Sequence, residues 1–150
     1  MAKRQILAGS TSVTIYVKLL DSSSTVGAGK TGLAYNTSGI KIYYARYRGS
    51  ATAITPVTQT VTGAYSSGGF VEVSTNMPGI YRLDIPDAAL ASGVPSVVIS
   101  ISGMTGVVEQ EVEIELTATD NQDANAGGMA YITDSRTQSG IAATNSNRIP

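Results

Sequence analysis

Histidine, cysteine and tryptophan are absent from these 150 residues, and phenylalanine occurs once. Without imidazole and thiolate, the usual zinc ligand sets, disulfide staples, thiol nucleophiles and histidine-based triads are excluded. Any catalysis would have to run on carboxylate, lysine or tyrosine groups, which need a clustered, buried site. The want of cysteine fits a reducing site of synthesis and leaves burial as the source of stability. No apolar run approaches the ~20 residues of a membrane helix. Met1-Ala2-Lys3-Arg4 opens like a secretion leader, but Gln5 to Ser12 supplies no apolar centre for one, so synthesis in a cytoplasm without processing is expected. Charge of either sign is also scarce: charged residues make up 14% of the chain and the net charge is −1. Counterion release needs several phosphates neutralised together, and scattered basic residues do not provide that, so nucleic acid is not an expected partner.

What is present is β-forming. Val, Thr, Ser and Gly outweigh Leu and Glu, a balance that favours short strands and turns. The length suits one domain with an appendage, since an immunoglobulin-type sandwich needs only ~100 residues. The stretch from Gly68 to Gly93 is the most informative. Phe70 to Val73 suits a strand, and Asn76-Met77-Pro78-Gly79 is dense in turn formers. Ile80, Arg82 and Asp84 then alternate with Tyr81, Leu83 and Ile85, the period of a strand with one apolar face. Pro86-Asp87 opens a short helical turn over Ala88 to Ala91, which Ser92-Gly93 can stop. Tyr81, just after a turn at the start of a late strand, is placed like the tyrosine corner of immunoglobulin-like domains, and its hydroxyl is expected to cap backbone.

Elsewhere, Thr11 to Leu20 reads as a strand with Val13, Ile15, Val17 and Leu19 in the core. A Ser/Gly loop follows from Asp21 to Lys30, then a short strand from Leu33 to Tyr35 and a longer one from Ile40 to Arg48. Ala53 to Thr62 reads as another strand, held to an edge or a bulge by Pro56, and Gly63 to Gly69 as a flexible loop. Ser96 to Ser102 is an apolar strand. From Val107 to Leu116, Val108, Gln110, Val112, Ile114 and Leu116 share one face, while Glu109, Glu111, Glu113 and Glu115 share the other. Carboxylates on one face stand about 7 Å apart, too far to chelate one cation, so they are expected to be a solvated face that discourages edge-to-edge pairing.

Two motif imitations fail on their residues and a third on its context. Gly29-Lys30-Thr31 resembles the end of a phosphate loop, but Ser24 stands where the first glycine is required. Asp123 to Asp134 overlays part of a calcium loop, yet Gly127 offers no ligand and Asp134 is shorter than the bidentate glutamate, so no metal or other cofactor is expected. Asn36-Thr37-Ser38 matches a glycosylation sequon and, with no leader, reads as a turn. Tyr43, Tyr44 and Tyr47 sit among Lys41, Arg46 and Arg48; Tyr43 and Tyr47 share a face and form a candidate platform for sugars, with Tyr44 on the face of Ile40 and Ile42. Beyond Thr117 the chain turns small and polar. Met129, Tyr131, Ile132, Ile141 and Ile149 are separated apolar anchors there, the pattern of an extended C-terminal arm that binds other subunits.

Three segments taken together, TGLAYNTSGIKIYYAR (Thr31 to Arg46), SGGFVEVSTNMPGIYRLDIPDAALASGV (Ser67 to Val94) and EVEIEL (Glu111 to Leu116), resemble a group of small β-rich virion proteins of tailed bacteriophages. The resemblance spans Lys30 to Leu116 and lies in cadence, with no catalytic motif to carry over. It implies a non-enzymatic structural component of the particle, made in the host cytoplasm and residing in the virion, with other capsid or tail subunits as partners. The expected architecture is all-β: an immunoglobulin-like antiparallel β-sandwich over residues 1–116 with one short helical turn, and an extended arm over 117–150. A homo-oligomer or multi-copy assembly is expected, and a small domain with an arm suits capsid decoration. The alternatives are a tail, collar or fibre component, a carbohydrate-binding adhesion module that meets a host-surface glycan through Tyr43 and Tyr47, and, more remotely, a carboxylate hydrolase. No membrane partner is expected.

Overall fold

The computed structural model describes residues 2–119, and one compact unit ends at Ala118. The expected arm, with Met129, Tyr131, Ile132, Ile141 and Ile149, and the Asp123 to Asp134 overlay lie outside the described residues. The fold is all-β. Its strands are β1 (Ala2–Leu7), β2 (Thr14–Lys18), β3 (Leu20–Asp21), β4 (Lys41–Arg46), β5 (Ala51–Ile54), β6 (Phe70–Glu72), β7 (Ile80–Asp84), β8 (Ser96–Ser102), β9 (Val107–Val108) and β10 (Gln110–Thr117). A 3-10 turn, Asp87–Leu90, follows β7.

The larger sheet has the order β1-β10-β8-β4-β5, in which β1 runs parallel to β10 and the other pairs are antiparallel. A three-stranded antiparallel sheet has the order β2-β7-β6, and the two-residue strands β3 and β9 pair with each other. One apolar cluster takes side chains from both larger sheets. Ile15, Val17, Phe70, Tyr81 and Leu83 come from the smaller one, and Ile42, Ile54, Val97, Ile99, Ile101, Val112 and Ile114 from the larger. Period two explains the pattern, because β8 alternates buried Val97, Ile99 and Ile101 with half-buried Ser96, Val98, Ser100 and Ser102. Each fully buried Leu or Ile contributes about 1.5–3 kcal/mol. The Phe70 and Tyr81 rings stack at 5.0 Å between centroids. Leu19 and Ile85, just beyond β2 and β7, are also buried, and the 3-10 turn adds Ala89 and Leu90.

Several expectations are corrected. Residues 2–7, read as a failed leader, form β1, which covers the edge of β10. The glutamates of β10 therefore do not guard a sheet edge. Leu33 to Tyr35 is not a strand, because the Tyr81 hydroxyl donates to the Lys30 carbonyl (2.7 Å) and accepts from the Leu33 N–H (3.3 Å), so a side chain takes the place of a ladder. The strand expected from Ala53 to Thr62 is β5, ending at Ile54 on the edge of the sheet before Pro56, which has no N–H to offer. The single alternation from Val107 to Leu116 breaks at Glu109. Val107 packs on the core while Val108 is exposed, because β9 pairs with β3 rather than continuing the β10 ladder.

The turn before β7 does form. Met77 N–H donates to Ser74 O and Ile80 N–H to Met77 O, with Gly79 at φ +80°. Any side chain at Gly79 would collide with Gly29 and the Leu19 carbonyl, so glycine is required there twice over.

Candidate functional site

The sequence-predicted tyrosine platform is partly assembled. Tyr43 is 39% exposed and Tyr47 53% exposed, while Tyr44 packs against the core. Tyr43 projects between Ala53 on β5 and Ser100 on β8, neighbours too small to cover its ring. Tyr47 lies beyond the end of β4, about 13 Å along the chain from Tyr43. The two arginines beside this pair part company. Arg46 turns away and donates to the carbonyls of Ala91 (2.5 Å) and Ser92 (2.9 Å), and the Arg48 guanidinium stands 5.8 Å over the Tyr47 ring.

The lysine of Gly29-Lys30-Thr31 is likewise engaged within the fold. Its N–H donates to the Leu19 carbonyl (2.8 Å) and its amine lies 3.4 Å from the Asp21 carboxylate. Ser23, through its hydroxyl and its backbone N–H, holds the Asp21 carboxyl below its ordinary pKa. Among the described residues, no three acidic groups converge to hold a metal ion. No described helix is long and apolar enough to cross a membrane.

The alternation of β7 missed the most organised polar site among the described residues. Arg82 and Asp84, which the alternation sets opposite the apolar face, are 6% and 0% exposed. Asp84 Oδ1 accepts from Arg82 Nε (2.9 Å) and Thr14 Oγ1 (2.7 Å), and Oδ2 accepts from Arg82 Nη2 (3.0 Å), Gln59 Nε2 (2.7 Å) and the Ser66 N–H (2.9 Å). Arg82 Nη1 donates to the carbonyls of Thr60, Val61 and Gly63 at 2.8–3.0 Å. The segment from Gln59 to Ser66, which spans the end of the expected strand and the start of the expected flexible loop, is thus strapped across the outer face of β7, and Tyr65 adds a 2.6 Å bond to the Ile85 carbonyl. Burial by itself raises the pKa of Asp84, but the hydrogen bonds from Arg82, Ser66, Thr14 and Gln59 outweigh it and hold the carboxyl below its ordinary value. This carboxylate is spent on structure. The only sequence signal for it is a pair of opposite charges two positions apart on one strand, followed by no evident partner.

A further site is a cleft of about 840 Å³ lined from β1, β2 and β10, β1 and β2 being terminal strands of their sheets. Val17 and Ile80 from the smaller sheet, Val73 and Met77 from the segment between β6 and β7, and Val112 from β10 make its apolar walls. Arg4, Lys18, Gln110 and Glu111 supply its polar rim. Met77 is 50% exposed and Tyr16, also in the lining, 49%. Leu19 N–H donates to Gly79 O and Ile85 N–H to Val13 O, so the odd-numbered residues of β2 turn their backbone to β7. Thr14, Tyr16 and Lys18 therefore turn theirs to the open side. The Arg4 guanidinium donates to the Tyr16 carbonyl there. Such a volume with a few polar groups on apolar walls is within the range of ligand-binding clefts.

No family model matches this chain, and no curated protein matches it.

Proposed function

We propose that the chain is a non-enzymatic structural protein of a tailed-phage virion, made in the host cytoplasm, which binds neighbouring subunits through its domain surface and its C-terminal arm. Capsid decoration is the favoured placement. The observation that carries the reading is that Ser67 to Val94, the longest segment of the resemblance to phage virion proteins, supplies a large part of the packing centre. Phe70, Tyr81, Leu83, Ile85, Ala89 and Leu90 all lie in the core. The strand order supports an immunoglobulin-like sandwich. With β2, β4, β5, β6, β7, β8 and β10 in the places of B, C, C′, D, E, F and G, the sheets read B-E-D and G-F-C-C′, and β1 adds beside G. Tyr81 then falls on the E strand rather than at the start of F. It ties down a loop 48 to 51 residues upstream, so it performs the capping of a tyrosine corner from a different position.

The test is quantification of the chain in density-purified particles from cells that produce it. A fixed copy number that scales with the capsid subunit supports decoration, a low number confined to isolated tails supports a tail, collar or fibre component, and absence from particles overturns the reading. The exposed Tyr43 and Tyr47 favour one second reading, adhesion to a host-surface glycan. Binding on a glycan array that is lost in both Tyr43→Ala and Tyr47→Ala would support it.

A further inference from the structure

We propose that the cleft lined by β2, β10 and Arg4 of β1 is the acceptor for the segment Met129 to Asp134 of a neighbouring copy, which adds to the open edge of β2 as an extra strand. This deepens the assembly reading above by naming the docking site of the arm. The edge itself selects an extended peptide, because Thr14, Tyr16 and Lys18 present their backbone donors and acceptors to the open side at strand spacing. The walls behind that edge are apolar, and the rim carries two cations, Arg4 and Lys18, against one anion, Glu111.

The arm contains a matching sequence. In an extended Met129-Ala130-Tyr131-Ile132-Thr133-Asp134, the side chains of Ala130, Ile132 and Asp134 share one face. Ile132 can then fill the apolar wall while Asp134, two positions on, meets the cationic rim. An incoming N–H takes over the Tyr16 carbonyl from Arg4, which frees the guanidinium for the Asp134 carboxylate. From Thr117 to Met129 an extended chain spans up to about 40 Å, enough to pass from one domain to another. Repeated head-to-tail, the contact builds a ring or an open filament, and exchanged reciprocally between two copies it closes a pair.

The absence of cysteine from the chain makes the test direct. Full-length Met77→Cys and Ala130→Cys proteins, each with one thiol, are mixed and oxidised. A mixed disulfide dimer is expected in excess of either homodimer, and Ile132→Asp in the donor should cut its yield on the order of tenfold by burying a charge in the apolar wall. Lys18→Cys serves as a second acceptor thiol at an exposed position. No mixed dimer with either acceptor, or a mixed dimer indifferent to Ile132→Asp, overturns the proposal. So does a double variant, Met77→Cys with Ala130→Cys, that closes its disulfide only within one chain. Particle copy number is measured separately, so a chain that is present in particles but fails to cross-link sinks the cleft assignment and leaves the virion reading standing.

Discussion

Strands β7 and β10 are written in the same grammar and end in opposite environments. Both alternate apolar with charged residues, Tyr81-Arg82-Leu83-Asp84 in one and Val112-Glu113-Ile114-Glu115 in the other. Their apolar faces share one core. Their charged faces diverge: Glu113 and Glu115 remain partly exposed and Glu111 exposed, whereas Arg82 and Asp84 are enclosed under the strap from Gln59 to Ser66. The charge types explain why each tolerates its fate. Arg82 and Asp84 neutralise each other, and between them they bond three carbonyls and an N–H of the strap. A row of glutamates has no such internal compensation, and burial without partners would cost several kcal/mol per charge. Alternation therefore reports that one face is apolar, and the identity of the charges decides whether the other can be covered.

The largest effect that would sharpen this contrast comes from breaking the buried pair. Asp84→Ala leaves the Arg82 guanidinium without its counter-charge and strips the strap of its acceptor, so a loss of about 3–5 kcal/mol is expected in chemical denaturation. A loss below about 1 kcal/mol would mean that the strap is not held by this carboxylate. Next is the shared core: Ile114→Ala should cost about 2–5 kcal/mol by lost burial and a residual cavity. A small loss there would show that the inward face of β10 has been misassigned. Tyr81→Phe keeps the ring stack but removes the hydroxyl that serves Lys30 and Leu33, and about 1–3 kcal/mol is expected. Hydrogen exchange should then accelerate at Leu33 and leave β8 unaffected. At the bottom of the scale, Glu113→Ala on the wetter face should change stability by less than about 0.5 kcal/mol. If Glu113→Ala rivalled Asp84→Ala, the difference between the two strands would collapse.

Acid offers an independent way to separate them. Because the folded-state pKa of Asp84 lies below its unfolded value, the unfolded chain takes up the proton first as pH falls. The stabilisation is complete above the ordinary aspartate range, about pH 4, and is lost as pH falls through the depressed folded value. Denaturation midpoints measured down an acid series should fall more steeply for the wild type than for Asp84→Asn. Parallel curves would show that this carboxyl contributes nothing to acid sensitivity.

Much of the core could be read directly from period two. Ile15, Val17 and Leu19, Val97, Ile99 and Ile101, and Val112, Ile114 and Leu116 are buried as their alternation demands. The turn at Asn76 to Gly79 and the helical turn after Pro86 were also legible, since proline and glycine restrict the chain locally. The cleft was not, because Arg4, Val17, Met77 and Val112 come from β1, β2, the turn before β7 and β10 and are brought together only by the packing of the two sheets. Nor was β1, whose six residues carry no strong pattern and gain their strand from the edge of β10.

Which side chains can face inward, and which chemistries are missing, follow from the order and inventory of residues, because alternation and composition are properties of near neighbours and of the list. Which charged face stays wet, where Val107 to Leu116 breaks its phase, and how Tyr81 replaces a ladder with one hydroxyl were settled by packing. Those outcomes depend on which distant segment lies alongside or overhead, and a contact between residues about twenty to ninety positions apart leaves no mark in the local period of either partner.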